Sequence, residues 1–138
     1  MGRFNDGLTG RLFEEVSLGT CRAVHRGYMR WHEAVETVRK NQPPLKAPMA
    51  ARLEREVRAQ IGEAVRFFTA VRSTLDVMHG CDGFFEFHGI VVTIDLTMNH
   101  CKDSAKADLL IQREETTDIP VLAGRVAREM RSKLLRRA

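Results

Sequence analysis

Asp82 and Asp95 stand thirteen residues apart in the stretch Cys81-Asp-Gly-Phe-Phe-Glu-Phe-His-Gly-Ile-Val-Val-Thr-Ile-Asp95-Leu-Thr97. If His88-Gly89 is a two-residue turn, Phe87 faces Ile90, Glu86 faces Val91, Phe85 faces Val92 and Phe84 faces Thr93. Asp82 then lands opposite Asp95. Carboxylates directly across a ladder have Cβ atoms roughly 4.5–5.5 Å apart and repel one another. A divalent metal or a shared proton would make the pair tolerable. Lys102 and Lys106 follow the second strand closely, and Glu14 lies in the first turns of the N-terminal helix. Two or three carboxylates and a lysine are what metal-dependent phosphodiester hydrolysis requires. The carboxylates hold Mg²⁺ or Mn²⁺, and the lysine orients water or offsets charge on the phosphate.

The elements that must position these residues begin with the hairpin, residues 83–97. Phe85, Phe87, Ile90, Val92, Ile94 and Leu96 form one apolar face, which is assigned to the core. The other face carries Asp82, Phe84, Glu86, Val91, Thr93, Asp95 and Thr97 and turns polar toward the open end. A one-residue slip would drive both aspartates into the apolar layer, so the register is well specified.

Upstream, Leu12, Val16, Thr20, Val24, Tyr28, Trp31, Val35 and Val38 recur at helical spacing and predict one long helix from about Thr9 to Lys40, weakened at Gly19 and Gly27. Asn41 to Pro48 is the break, with Pro48 placed to open the next helix. Leu53, Val57, Ile61, Ala64, Val65, Phe68, Val71 and Leu75 then predict a second helix, making a helical hairpin of about 9–76. Val77 to Gly80 could hold a short strand. Residues 99–106 read as a polar connection and 107–112 as a short buried strand. Thr116 to Pro120 caps a final helix, from Pro120 to about Arg136, with Leu122, Val126, Met130 and Leu134 inward.

The chain has 138 residues, 43% hydrophobic and 29% charged, enough for one domain with a core that needs no staple. The helical hairpin occupies about 9–76, and the sheet with the last helix about 77–137. The sequence has no long apolar run and its N-terminus does not read as a signal peptide, so a cytoplasmic protein away from the membrane is expected. Three cysteines argue against a disulfide framework. Net charge is +4, yet Arg125, Arg128, Arg131, Lys133, Arg136 and Arg137 face only Glu129 in the last segment. Such a patch suits a polyanion such as DNA, and equally a solvated helix end.

The pattern of Asp82, twelve residues and then Asp95-Leu96-Thr97, preceded by Gly10-x-x-x-Glu14, resembles the PD-(D/E)XK nuclease superfamily. In that family an acidic residue opens the second core strand, a (D/E)-x-K motif closes the third, and a glutamate on the first helix often joins the metal site. The resemblance implies an α/β, restriction-endonuclease-like small mixed sheet flanked by the helices. It implies Asp82, Asp95 and Glu14 as Mg²⁺ or Mn²⁺ ligands in a cleavage site for DNA. Thr97 stands where the family has lysine, so Lys102 or Lys106 would act as a migrated catalytic lysine. Arg125, Arg128, Arg131 and Lys133 would contact the phosphate backbone. The long helices offer a surface for a homodimer or a larger complex.

Other readings compete. Thr97 favours a catalytically degenerate fold that binds DNA or protein. A helical interaction protein with an incidental hairpin is a third class. His79, Cys81, His100 and Cys101 are zinc-type ligands, but their spacing matches no common zinc motif. His25 and His32 read as surface residues and Cys21 as a packed one. Walker, dinucleotide and Gly-x-Ser-x-Gly motifs are absent from the sequence.

Overall fold

The computed structural model describes residues 2–99 and 106–137, with side chains from Gly10 onward. The first helix, α1 (Gly2–Leu18), stops at Gly19, whose φ of +81° is the left-handed conformation that ends helices. An irregular segment leads to α2 (Trp31–Lys40), and α3 (Pro48–Gln60) opens with proline in its first turn. Strand β1 (Arg66–Thr69) and the short α4 (Thr74–His79) follow. Next come β2 (Gly83–Phe87), β3 (Ile90–Thr97), β4 (Leu109–Gln112), a 3₁₀ turn (Arg113–Thr117) and α5 (Ile119–Arg137).

The predicted helical hairpin is therefore wrong in both arms. The first arm is two helices, because Gly19 breaks the period and the chain turns inward at Cys21. Leu12, Val16, Val24 and Tyr28 of the supposed core stripe are exposed, while Leu18 and Cys21 are buried. The second arm ends at Gln60. Past Gly62 the burial alternates along β1 with a period of two, and the shared hydrophobic residues satisfied both templates in the sequence. Val77 to His79 close α4 rather than forming a strand, and Gly80, at φ +70°, is its left-handed C-cap.

The four strands form one mixed sheet in the order β1-β2-β3-β4. The first three are antiparallel and β4 is parallel to β3. The β2–β3 register is the one the turn required: Phe87 faces Ile90, Phe85 faces Val92 and Phe84 faces Thr93. His88 at φ +47° and Gly89 at φ +81° give the two positive φ values of a type I′ turn. Phe67–Phe85 and Phe68–Phe84 pair across β1 and β2 with ring centroids 5.0 Å apart in each case. Such pairs contribute about 0.5–1.5 kcal/mol beyond their burial.

On one face, Phe85, Val92, Ile94, Leu96 and Ile111 meet Leu53 and Val57 of α3 and Leu122, Val126 and Met130 of α5. The opposite face is also covered: Phe84, Cys81 and Ala70 meet Val35 and Val38 of α2 and Leu75 of α4. The molecule is thus a three-layer α/β/α arrangement, and the polar residues of the second face are trapped beneath helices. The exposed edge of β1 is blocked by side chains. Gln42 donates to Thr69 O and accepts from Thr69 N, and Glu54 accepts from Phe67 N at 2.8 Å. Among the described residues, no helix is long and apolar enough to cross a membrane.

Candidate metal centre

Asp82 is held from both sides. Its N–H donates to Ile94 O at 2.8 Å, its carbonyl accepts from Ala70 N at 2.8 Å, and it thereby extends the ladder one residue beyond Gly83. The count continues to place it opposite Asp95. Its carboxyl Oδ2 accepts from Leu96 N at 2.8 Å, so the side chain points back across the sheet end. Asp82 is 2% exposed and Asp95 8%.

Three elements bring carboxylates to this point. Oxygens of Glu14 on α1, Asp76 on α4 and Asp82 before β2 all lie within 4.8 Å of one another. Asp95 on β3 joins them through a side-chain hydrogen bond to Asp82. The expected trio of Glu14, Asp82 and Asp95 is thus gathered, with Asp76 as an unforeseen fourth member. Its signal was present in the sequence as Ser73-Thr-Leu-Asp76, a helix-start pattern. Ser73 Oγ accepts from Asp76 N, which fixes the first turn of α4 and aims Asp76 at the cluster. The continuous helical period through Val71 and Leu75 concealed that start.

The electrostatics follow from burial. Desolvation and then the nearby charges of Glu14 and Asp76, with the contact to Asp95, push Asp82 up to about 11. Desolvation also raises Asp76, opposed by the N–H of Arg72, which donates to Asp76 Oδ2 at 2.7 Å, and by the charge of Arg11. Without a cation, the cluster therefore keeps at least one proton at neutral pH. Arg72 adopts φ +75°, uncommon for a residue with a side chain, and its guanidinium pairs with Glu15. That conformation is what delivers its N–H to Asp76.

The lysines are placed unequally. Lys102 lies outside the described residues. Lys106 is exposed, and its aliphatic stem runs beside Gly80, 3.6 Å from where a Cβ there would sit and two residues from Asp82. Thr97 is 9% exposed and its hydroxyl accepts from Asn99 N.

No protein-family model matches the chain, and no curated protein or solved structure matches it.

The cations of α5 are engaged internally. Arg125 pairs with Glu115, Arg131 donates to Gln60 O at 3.0 Å, and Lys133 reaches Asp108 at 2.6 Å and Val91 O at 2.7 Å. Arg128 is exposed. Of the zinc-type residues, His79 Nε2 bonds Met29 O at 2.7 Å and Cys81 is buried, while His100 and Cys101 lie outside the described residues. Burial pushes the Cys81 thiol up to about 11, the reverse of an activated nucleophile. A cleft of about 390 Å³ between the 42–47 loop and β1, lined by Leu18, Pro44, Glu54, Arg58 and Phe67, contains none of the four carboxylates.

Proposed function

We propose that this protein is a metal-dependent nuclease that hydrolyses DNA phosphodiester bonds, on a restriction-endonuclease-like variant of the α/β/α arrangement. The observation that carries the reading is the convergence of Glu14, Asp76 and Asp82, with Asp95 bonded to Asp82, at one end of the sheet. Gathering two buried and two half-buried acids is unfavourable unless protons or a cation compensate. An all-oxygen donor set fits a hard divalent ion such as Mg²⁺ or Mn²⁺ and disfavours softer metals. Further support comes from the strand order. Asp82 immediately precedes the second strand, and Asp95-Leu96-Thr97 ends the third, as the resemblance requires.

A bound divalent ion would polarise a phosphoryl oxygen and lower the pKa of water. Asp82 and Asp95 would hold it from the sheet, with Glu14 and Asp76 closing the set from the helices. Leu96 N fixes one oxygen of Asp82, so that carboxylate cannot swing away when it loses its proton. Lys106, whose stem runs beside Gly80, would offset negative charge on the phosphate.

The test is cleavage of labelled single- and double-stranded DNA with Mg²⁺, Mn²⁺ or EDTA, with Asp95→Asn beside the wild type. Metal-dependent cutting that the substitution abolishes is expected. A wild type that cuts nothing with either metal would refute catalysis. It would favour the degenerate binding module, to which the buried Thr97 in the lysine position already points.

A further inference from the structure

Between Glu15 and Glu33 the chain has no acidic residue, but it has Arg22, Arg26, Arg30, His25 and His32. In the structure this is mostly the irregular segment between α1 and α2. Arg22, Arg26 and Arg30 are all exposed, and among the described residues none of their guanidiniums has a carboxylate partner. The α5 cations, by contrast, are largely committed. Two aromatic rings stand out on the same segment, Tyr28 at 68% exposure and Trp31 at 37%.

The segment is anchored, and its anchor is the wall of the acidic site. His25 N donates to Arg72 O at 2.9 Å and His25 Nδ1 bonds Thr74 Oγ1 at 2.8 Å. Thr74 Oγ1 donates to Gly27 O, and His79 Nε2 bonds Met29 O. Residues 72–79 are the segment that carries Asp76. Tyr28 also lies against the His79 ring, with centroids 5.9 Å apart.

Arginines at four-residue intervals with aromatic rings between and beside them match what an unpaired strand presents: a phosphate at every step and a base face free to stack. A duplex offers phosphates but keeps its bases stacked internally. We infer that the Arg22–Trp31 surface, with Arg22, Arg26 and Arg30 on phosphates and Tyr28 and Trp31 on bases, binds single-stranded nucleic acid and leads it to the carboxylate cluster. This rests on the nuclease reading for the strand's destination and names the substrate class of that site.

Trp31 is the only tryptophan, so its fluorescence reports directly on stacking. The full chain is titrated in EDTA with oligothymidylate, oligouridylate and a duplex of the same length. Quenching is expected with the single strands, and the two oligomers compare deoxyribose with ribose. By anisotropy of labelled oligomer, Tyr28→Ala and Trp31→Ala should each weaken single-strand binding by about 5- to 150-fold. Arg22→Gln and Arg26→Gln should each reduce the slope of log affinity against log salt by about 0.7. The Tyr28 and arginine side chains are exposed, so unchanged melting curves check that those variants fold. The inference is overturned if no oligomer binds, if all four variants bind as the wild type does, or if the duplex binds equally well and Tyr28→Ala has no effect. Because binding is read in EDTA, it separates from cleavage. Strand binding by a wild type that cuts nothing would sink the nuclease reading alone, and cutting at wild-type rates by all four variants would sink this one.

Discussion

Replacing Asp82 with asparagine should stabilise the metal-free protein, and the gain should grow with pH. Asp82 titrates near 3.9 when unfolded, whereas burial and the neighbouring carboxylates push it up to about 11 in the fold. Between those values the native state binds a proton that the unfolded state does not. Stability from this group is thus fully present below about pH 4 and is lost as pH rises toward the folded value. One whole proton corresponds to about 1.4 kcal/mol per pH unit, or about 4 kcal/mol from pH 5 to pH 8. Sharing of that proton with Asp76, which burial also raises, divides the effect between the two, so about 4 kcal/mol is the ceiling for Asp82 alone. Asparagine keeps an oxygen to accept from Leu96 N, and its amide can donate to a neighbouring carboxylate as the protonated acid does. It carries no charge to bury. Urea unfolding of both proteins in EDTA at pH 5, 6, 7 and 8 reads the difference directly, with the histidines cancelling between them. The variant should gain on the wild type at each step. Parallel stability–pH profiles would refute the claim that Asp82 is buried among acids and protonated.

Mn²⁺ should do for the wild type what the asparagine does. At a hundredfold excess over its Kd, the ion is expected to add about 2.7 kcal/mol at pH 8, less at pH 5 where protons compete, and little in Asp82→Asn. Thermal melts with and without Mn²⁺ read this. Gly83→Ala should cost about 1–3 kcal/mol in urea unfolding, because its Cβ would meet the Phe67 ring at 2.8 Å and Phe68 O at 2.9 Å. Gln42→Ala should cost about 1–3 kcal/mol by uncovering both polar groups of Thr69 at the β1 edge, and concentration-dependent light scattering will show whether that edge then pairs between molecules. Gly19→Ala should cost about 1–2 kcal/mol, since alanine must adopt φ +81° there or let α1 run on past its turn.

What the sequence determined by itself was local or strictly periodic. The His88-Gly89 turn set the β2–β3 register, because a strand alternates faces and a slip would have buried the wrong set. From that register alone Asp82 fell opposite Asp95. The last helix was legible from Pro120 and the spacing of Leu122, Val126 and Met130, which do pack inward. Tertiary structure alone decided the rest. Strand β1 shares its hydrophobic residues with a helical pattern, and only its pairing with β2 selects the extended form, because each of its four residues gains a cross-strand partner there. Pairing of Asp76 with Asp82 depends on α4 folding back over the sheet, a contact between segments whose sequences carry no mark of each other. The fate of the α5 cations was equally non-local: Lys133 and Arg131 look like free charge in the sequence, yet Asp108 and Gln60 lie within reach only after the chain has packed. Charge and type are written residue by residue; partnership is a property of distance, which the fold supplies.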